Sequence, residues 1–197
     1  CIPFPPIGTR MDMLEESLSI VRDMLTQPKT TYTGTHFSVK DAICEPKPLT
    51  GHLPLWVCGG GEKRTLSMAA KHGDGWNVPY LSPTDYRRKI NILDSWCDTE
   101  SRNPSEIVRT VNVGFYMGTS TVDAERKRND FEQAYGDRAP IQGPGMLFGT
   151  AGQGVDRIGE YADAGAQGLN IALRAPFNWE AIQAFHEEVI PAFASTV

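Results

Sequence analysis

Long hydrophobic runs are missing from these 197 residues: none approaches the roughly 20 apolar residues that a membrane helix needs. An excess of positive charge is missing too. With 19 basic against 24 acidic residues the formal net charge is -5, which removes the usual reason to expect nucleic acid or an anionic membrane as a partner. The densest basic run, Arg126-Lys127-Arg128, lies among Asp123, Glu125 and Asp130 and reads as a solvated helix face. Cysteine is sparse. The four, at positions 1, 44, 58 and 97, form no CxxC pair, so neither a zinc site nor a dithiol redox motif is expected. A reducing, cytoplasmic compartment is the simplest expectation. His36, His52, His72 and His186 have no partner at metal-ligand spacing, and no metal is expected. The opening Cys1-Ile2-Pro3-Phe4-Pro5-Pro6 has no initiator Met and neither the basic nor the apolar region of a secretory signal. The expectation is that an upstream part is missing.

What is present is ordinary for a globular domain, with 40% hydrophobic and 22% charged residues. One domain over residues 1–197 is expected: a helix, hairpin and Pro-rich connector over 1–52, then four βα units over 53–197. Thr9 and Asp12 resemble a capping box, and Leu14, Leu18, Val21 and Leu25 repeat at helical spacing until Pro28. Tyr32 to Val39 reads as a small hairpin about Gly34. Leu53 to Cys58 reads as a buried strand, followed by a helix from Glu62 to Lys71 that ends at Gly73. Gly75 to Val78 is a second strand. Ser82-Pro83-Thr84-Asp85 then opens a helix with Tyr86, Ile90, Leu93 and Cys97 on one face. Ile107 to Met117 is a third strand, and a third helix runs from Thr121 to Tyr135. Asp137 to Gly149 reads as a long Gly/Pro-rich loop. A fourth helix spans Gln153 to Ala164, a fourth strand Gly168 to Leu173, and Asn178 caps a last helix with Ile182, Phe185, Val189 and Phe193 inward.

Alternating strands and helices mean an α/β fold with a parallel sheet. The rhythm suits a doubly wound sheet and a barrel alike. A complete (β/α)₈ barrel takes about 250 residues and eight strands, so four strands make half of one.

The sharpest local signal is Trp56-Val57-Cys58-Gly59-Gly60-Gly61-Glu62-Lys63-Arg64-Thr65, where a strand turns into a helix. Three glycines remove every Cβ from the turn, so amides can approach an anion closely. The helix behind adds amides and the positive end of its dipole, and Thr65 adds a hydroxyl. This is chemistry for holding a phosphate, although a plain tight turn has the same composition. The spacing is neither that of a Walker A loop nor that of the GxGxxG fingerprint. Lys63 and Arg64 read mainly as solvated, and Cys58 as a small buried residue. Glu15-Glu16 and Glu187-Glu188 read as helix-surface acids. A protonated His72 would suit its helix C-terminus. Arg174, at the end of the last strand, is a candidate for an anionic substrate or a cofactor tail.

Leu53 to Val57, Gly59 to Leu66, Ala69-Ala70 and Gly73 to Asn77 together resemble the fifth strand, helix and sixth strand of the luciferase-like monooxygenase superfamily. Arg10 to Glu16, Tyr32-Thr33-Gly34 and Glu45 to Pro48 are similar to that family's fourth helix, hairpin and lead-in. Phe148-Gly149-Thr150 and Ala164-Gly165-Ala166 are similar to its seventh helix region. The resemblance implies a partial TIM barrel, strands five to eight with their helices plus the preceding helix. It implies an oxidoreductase or monooxygenase using FMN or coenzyme F420, a deazaflavin, on a small-molecule substrate. The GGGEKRT form is closer to the F420-dependent branch. The implied cofactor-binding residues are Gly59, Gly60, Gly61, Glu62 and Thr65 at the phosphate, and Trp76 and Asn77 near the ring. No catalytic residue transfers, because the strands that carry them in relatives are absent. Half a barrel leaves sheet edges open, so a homo-oligomer is expected. The alternatives are a non-catalytic flavin-binding or structural fragment that self-associates, and a phosphosugar-binding α/β domain.

Overall fold

The computed structural model describes residues 3–194; Cys1 and Ile2 lie outside them. The chain divides into two compact units, Cys1–Trp76 with Ile92–Val108, and Asn77–Asn91 with Arg109–Val197.

The first unit opens with helix α1 (Ile7–Thr26). It starts two residues before Thr9, on Pro6, whose carbonyl accepts from Arg10 N at 3.0 Å. Proline's fixed φ suits a helix entrance better than the expected Thr9 cap. The expected hairpin follows as antiparallel β1 (Thr30–Thr33) and β2 (Ser38–Ala42). Its turn is fastened by α1. The Glu16 carboxylate accepts from Thr35 N at 2.8 Å, His36 N at 3.0 Å and Phe37 N at 2.9 Å. Desolvation works against that charge, but the three amides outweigh it and hold the carboxyl below its usual range. Glu16 is thus a tie rather than merely a surface acid.

Strand β3 is short, Trp56–Cys58, and only Val57 in it is buried. The expected buried strand from Leu53 is corrected on both counts. Pro54 cannot donate to a ladder, and one face of this edge strand is left uncovered, so Trp56 is 44% exposed and Cys58 is exposed rather than buried. Helix α2 (Thr65–His72) begins three residues later than expected, because Glu62 to Arg64 form a turn. Its Leu66, Met68, Ala69 and Ala70 are buried with Trp76, Leu93, Cys97 and Ile107. Burial, with the charge of Lys71 added, pushes the His72 imidazole below its ordinary range, so the expected dipole partner is held neutral.

Asp74 anchors this unit. It accepts from Arg22 Nη2 at 2.6 Å and Leu55 N at 2.7 Å, with His52 Nε2 at 3.3 Å. Arg22 also donates to His72 O at 2.8 Å. Desolvation opposes the Asp74 charge, but the Leu55 amide and the guanidinium outweigh it, and the carboxyl sits below its usual range.

Strand β4 (Gly75–Pro79) leads to helix α3 (Pro83–Thr99), which opens on the expected cap: Asp85 N donates to Ser82 Oγ at 3.0 Å. Its stripe Tyr86, Ile90, Leu93 and Cys97 is buried. In the second unit, β5 (Val108–Met117) buries Val111, Val113 and Met117. Helix α4 (Thr121–Tyr135) has the expected bounds and is capped by Ser120. The stretch read as a loop from Asp137 to Gly149 is instead a 3-10 turn, helix α5 (Ala139–Gln142), a second 3-10 turn and strand β6 (Met146–Gly149). Phe131 (1% exposed) and Met146 (3%) are buried there among Tyr80, Tyr116, Tyr135 and Phe148, and that apolar cluster orders the glycines. Helix α6 (Ala151–Asp163), strand β7 (Gly168–Ala172), helix α7 (Trp179–Ala184) capped by Asn178, a π turn over Phe185–Val189 and helix α8 (Ile190–Phe193) complete the chain. The sheet has five strands in the order β3-β4-β5-β6, with β7 also pairing β5, one more than expected. Strand β5 is long enough to pair β7 from Thr110 to Gly114 and β6 from Gly114 to Met117, both in parallel.

Candidate cofactor site

The Gly-rich turn leaves the C-terminal end of β3. Gly59 has φ +123°, a conformation that side chains rarely adopt. A Cβ on Gly61 would lie 2.8 Å from Thr65 Oγ1, so the bare backbone is what lets the Thr65 hydroxyl lie inside the turn. Three carbonyls of the turn are bonded. Trp76 Nε1 donates to Gly59 O at 2.9 Å, Leu66 N to Gly61 O at 3.0 Å, and Trp96 Nε1 to Glu62 O at 2.8 Å. These peptides are trans, and a trans peptide points its C=O and the following N–H in opposite directions. The N–H groups of Gly60, Glu62 and Lys63 therefore each point away from the partner of the carbonyl before them. Helix α2 has no side-chain cap, which keeps its first turn clear of a competing side-chain acceptor.

Gly59, Gly60, Gly61, Glu62 and Thr65 thus come together. Glu62 lies in the turn before α2 and not in the helix's first turn. Trp76 is fully buried, with its N–H on Gly59, so it touches the turn from behind. Asn77 stands in the second unit, where its Nδ2 donates to Asn112 Oδ1 at 3.0 Å. Asn77 Oδ1 is buried and has no hydrogen-bond partner among the described residues. Asn112 is in register with Asn170 on β7. Arg64 keeps a 42% exposed side chain and also pairs with Asp12 at 2.8 Å and Glu15 at 3.4 Å, and Lys71 pairs with Glu15 at 3.2 Å. Among the described residues no cluster of His, Cys, Asp and Glu could hold a metal ion, and no helix is long and apolar enough to cross a membrane.

Sequence reasoning missed Trp96 and Asn112. Trp96 follows Leu93 by three residues and precedes Cys97, which sets it at the edge of the apolar stripe, and a half-buried indole N–H needs an acceptor. Asn112 is a polar residue alternating with buried Val111 and Val113, a break in pattern visible without coordinates.

Residues 5–169 match the family described as luciferase-like monooxygenase. The chain belongs to that family. An uncharacterized protein of Mycobacterium tuberculosis is 32% identical over 92 residues, 46% of this chain and 32% of that protein. Among solved luciferase-like structures, an F420-dependent secondary alcohol dehydrogenase in complex with an F420–acetone adduct matches with a TM-score of 0.81 at 18% identity. That match covers 96% of this chain and 64% of the other. A riboflavin lyase with modified FMN and substrate riboflavin matches with a TM-score of 0.78 at 13% identity, over 99% and 59%. Each match spans less than two thirds of the other protein. The parallel sheet with its helices is that of part of a TIM-type barrel.

Proposed function

We propose that this chain is the cofactor-phosphate end of a flavin- or deazaflavin-dependent oxidoreductase acting on a small molecule. One observation carries the reading: the Gly59, Gly61 and Glu62 carbonyls are each held by a hydrogen bond, which fixes the backbone of a turn whose glycines leave room for a ligand. The residues fit a phosphate group. Gly61 leaves a cradle that a Cβ would fill, and the Thr65 hydroxyl lies within it. The backbone of Gly59 to Glu62 and the Thr65 hydroxyl would hold the phosphate. Trp76 and Trp96 act through the turn as positioning residues. The bound cofactor supplies hydride transfer or, in the case of FMN, reaction with oxygen. The GGGEKRT turn and the F420-dependent structural neighbour favour the deazaflavin.

Titration of the purified chain with FMN and with F420, followed by absorbance and fluorescence, tests this. Gly61→Asp sets a Cβ and a carboxylate against the phosphate and weakens cofactor binding by at least about tenfold, roughly 1.4 kcal/mol. Unchanged affinity removes the turn from the site.

A second reading is a non-catalytic, self-associating cofactor-binding piece. It is favoured by the edge strand β3, where Trp56 is 44% exposed beside Leu53 at 51%. Sedimentation separates the two: a monomer that binds cofactor removes self-association, and a coloured oligomer without turnover supports it.

A further inference from the structure

A cavity of about 360 Å³ lies in the second unit where β5 ends and the chain leaves β7. Its walls include Phe115 from β5, Lys127 and Tyr135 from α4, Leu173 and Arg174 after β7, and Ile182 from α7. The volume is within the range of small-molecule sites, and the C-terminal ends of parallel strands are where such folds place them. Two cations, Lys127 and Arg174, line it against one carboxylate, Asp130.

Arg174 is held but not neutralised. Tyr80 lies beside its guanidinium, with Tyr135 and Tyr116 also close enough to favour its charge. Among the described residues no carboxylate is within ion-pair distance of it. Tyr116 does not supply a counter-charge at neutral pH. Burial, then the bond to Tyr135, pushes the Tyr116 phenol up to about 12. Tyr80 has φ +58°, an uncommon conformation for a non-glycine residue. It is locked there: its N–H donates to Asn112 O at 2.9 Å, and a Cβ on Gly145 would lie 2.2 Å from its backbone. Strain kept in this way is a mark of sites where a side chain must point in one direction. Here that residue lies beside the cation.

We infer that this cavity binds a small organic oxyanion, with Arg174 and Lys127 on the anionic group and Phe115, Leu173 and Ile182 against its apolar body. Calling that anion the substrate rests on the oxidoreductase reading; the binding itself does not. Guanidinium offers a planar fork that matches a carboxylate or a phosphate ester, so both belong to the class.

Calorimetric titration of the full chain with benzoate and with phenyl phosphate tests this, with benzamide as the neutral control. The expected result is saturable binding of at least one anion and at least about tenfold weaker binding of benzamide, since a charge-assisted bond is lost. Arg174→Gln weakens the anion by about tenfold or more and leaves FMN and F420 affinity unchanged. Arg174→Lys keeps charge without the fork and retains part of the affinity. Tyr80→Phe, which keeps the cation but frees it, weakens the anion by about threefold and serves if Arg174→Gln fails to fold. Equal affinity for benzamide, or anion binding indifferent to Arg174→Gln and Tyr80→Phe, overturns the proposal. So does an equal loss of cofactor and anion binding in Arg174→Gln, which would make Arg174 part of the cofactor site. Anion binding that persists in a chain unable to bind either cofactor overturns the oxidoreductase reading and leaves this site standing.

Discussion

Two glycine-rich stretches of this chain behave in opposite ways. Gly59-Gly60-Gly61 stays an open turn, whereas Asp137 to Gly149, with glycines at 143, 145 and 149, winds into turns, α5 and β6. Glycine permits both outcomes, so the neighbours decide. The second stretch carries Ala139 and Met146, which are buried with Phe131 against three tyrosines and Phe148. The first carries no apolar side chain and is held by its carbonyls, on two indoles and a helical amide. A stretch that can bury apolar surface gains regular structure. One that cannot is shaped by hydrogen bonds.

The largest break in this contrast is expected from Phe131→Ala. Its ring lies 4.4 Å from that of Tyr135, 4.9 Å from Tyr116 and 5.3 Å from Phe148. Removing it costs about 3–5 kcal/mol in denaturant unfolding and frees α5 and β6, read as loss of amide protection there. Protection that survives would mean that the backbone alone orders the stretch.

Asp74→Asn comes next, because Asp74 anchors the lead-in to β3 rather than the turn itself. We expect a loss of about 2 kcal/mol near neutral pH, from bonds to a charged group. The sign in pH follows from the depressed carboxyl. Its contribution is present above the ordinary carboxylate range and disappears as pH falls through the lower folded value. The native chain should therefore lose stability towards acid, and Asp74→Asn should flatten that limb. Parallel acid limbs for the two proteins would exclude the anchor.

Gly61→Asp should separate function from stability. We expect at least about a tenfold loss of cofactor affinity with little change in unfolding midpoint, because the turn is not part of a packed core. Trp96→Phe is the smallest effect: about 1 kcal/mol for one hydrogen bond and a few-fold weaker cofactor binding as Glu62 O loses its tether. A larger effect on stability than on binding would make Trp96 a core residue rather than a positioning one.

The elements legible in sequence were those whose signal is local. The helix over Thr121–Tyr135, the Ser82 cap and the buried stripe of α3 follow from periodicity and capping chemistry. The glycine turn was legible as a turn for the same reason, since three consecutive glycines after a β-prone run end the strand. Strand β6 was not, because four residues among glycines and a proline carry too little periodicity to outweigh the loop signal. Nor were the exposed faces of β3, since an apolar run does not say how much of it is covered.

By itself the sequence determined the α/β alternation, the helix starts at Ser82 and Asn178, and the place of the glycine-rich turn after its strand, because each depends on residues within a few positions of one another. Only the tertiary structure decided which carbonyls Trp76 and Trp96 hold, that Asn112 pairs with Asn77, that Asp74 ties Arg22 to Leu55, and that Tyr80 lies beside Arg174. Those partners are separated by 17 to 94 positions, as Trp76 is from Gly59 and Arg174 from Tyr80. A hydrogen bond depends on direction and on a few tenths of an ångström, which no pattern along the chain encodes.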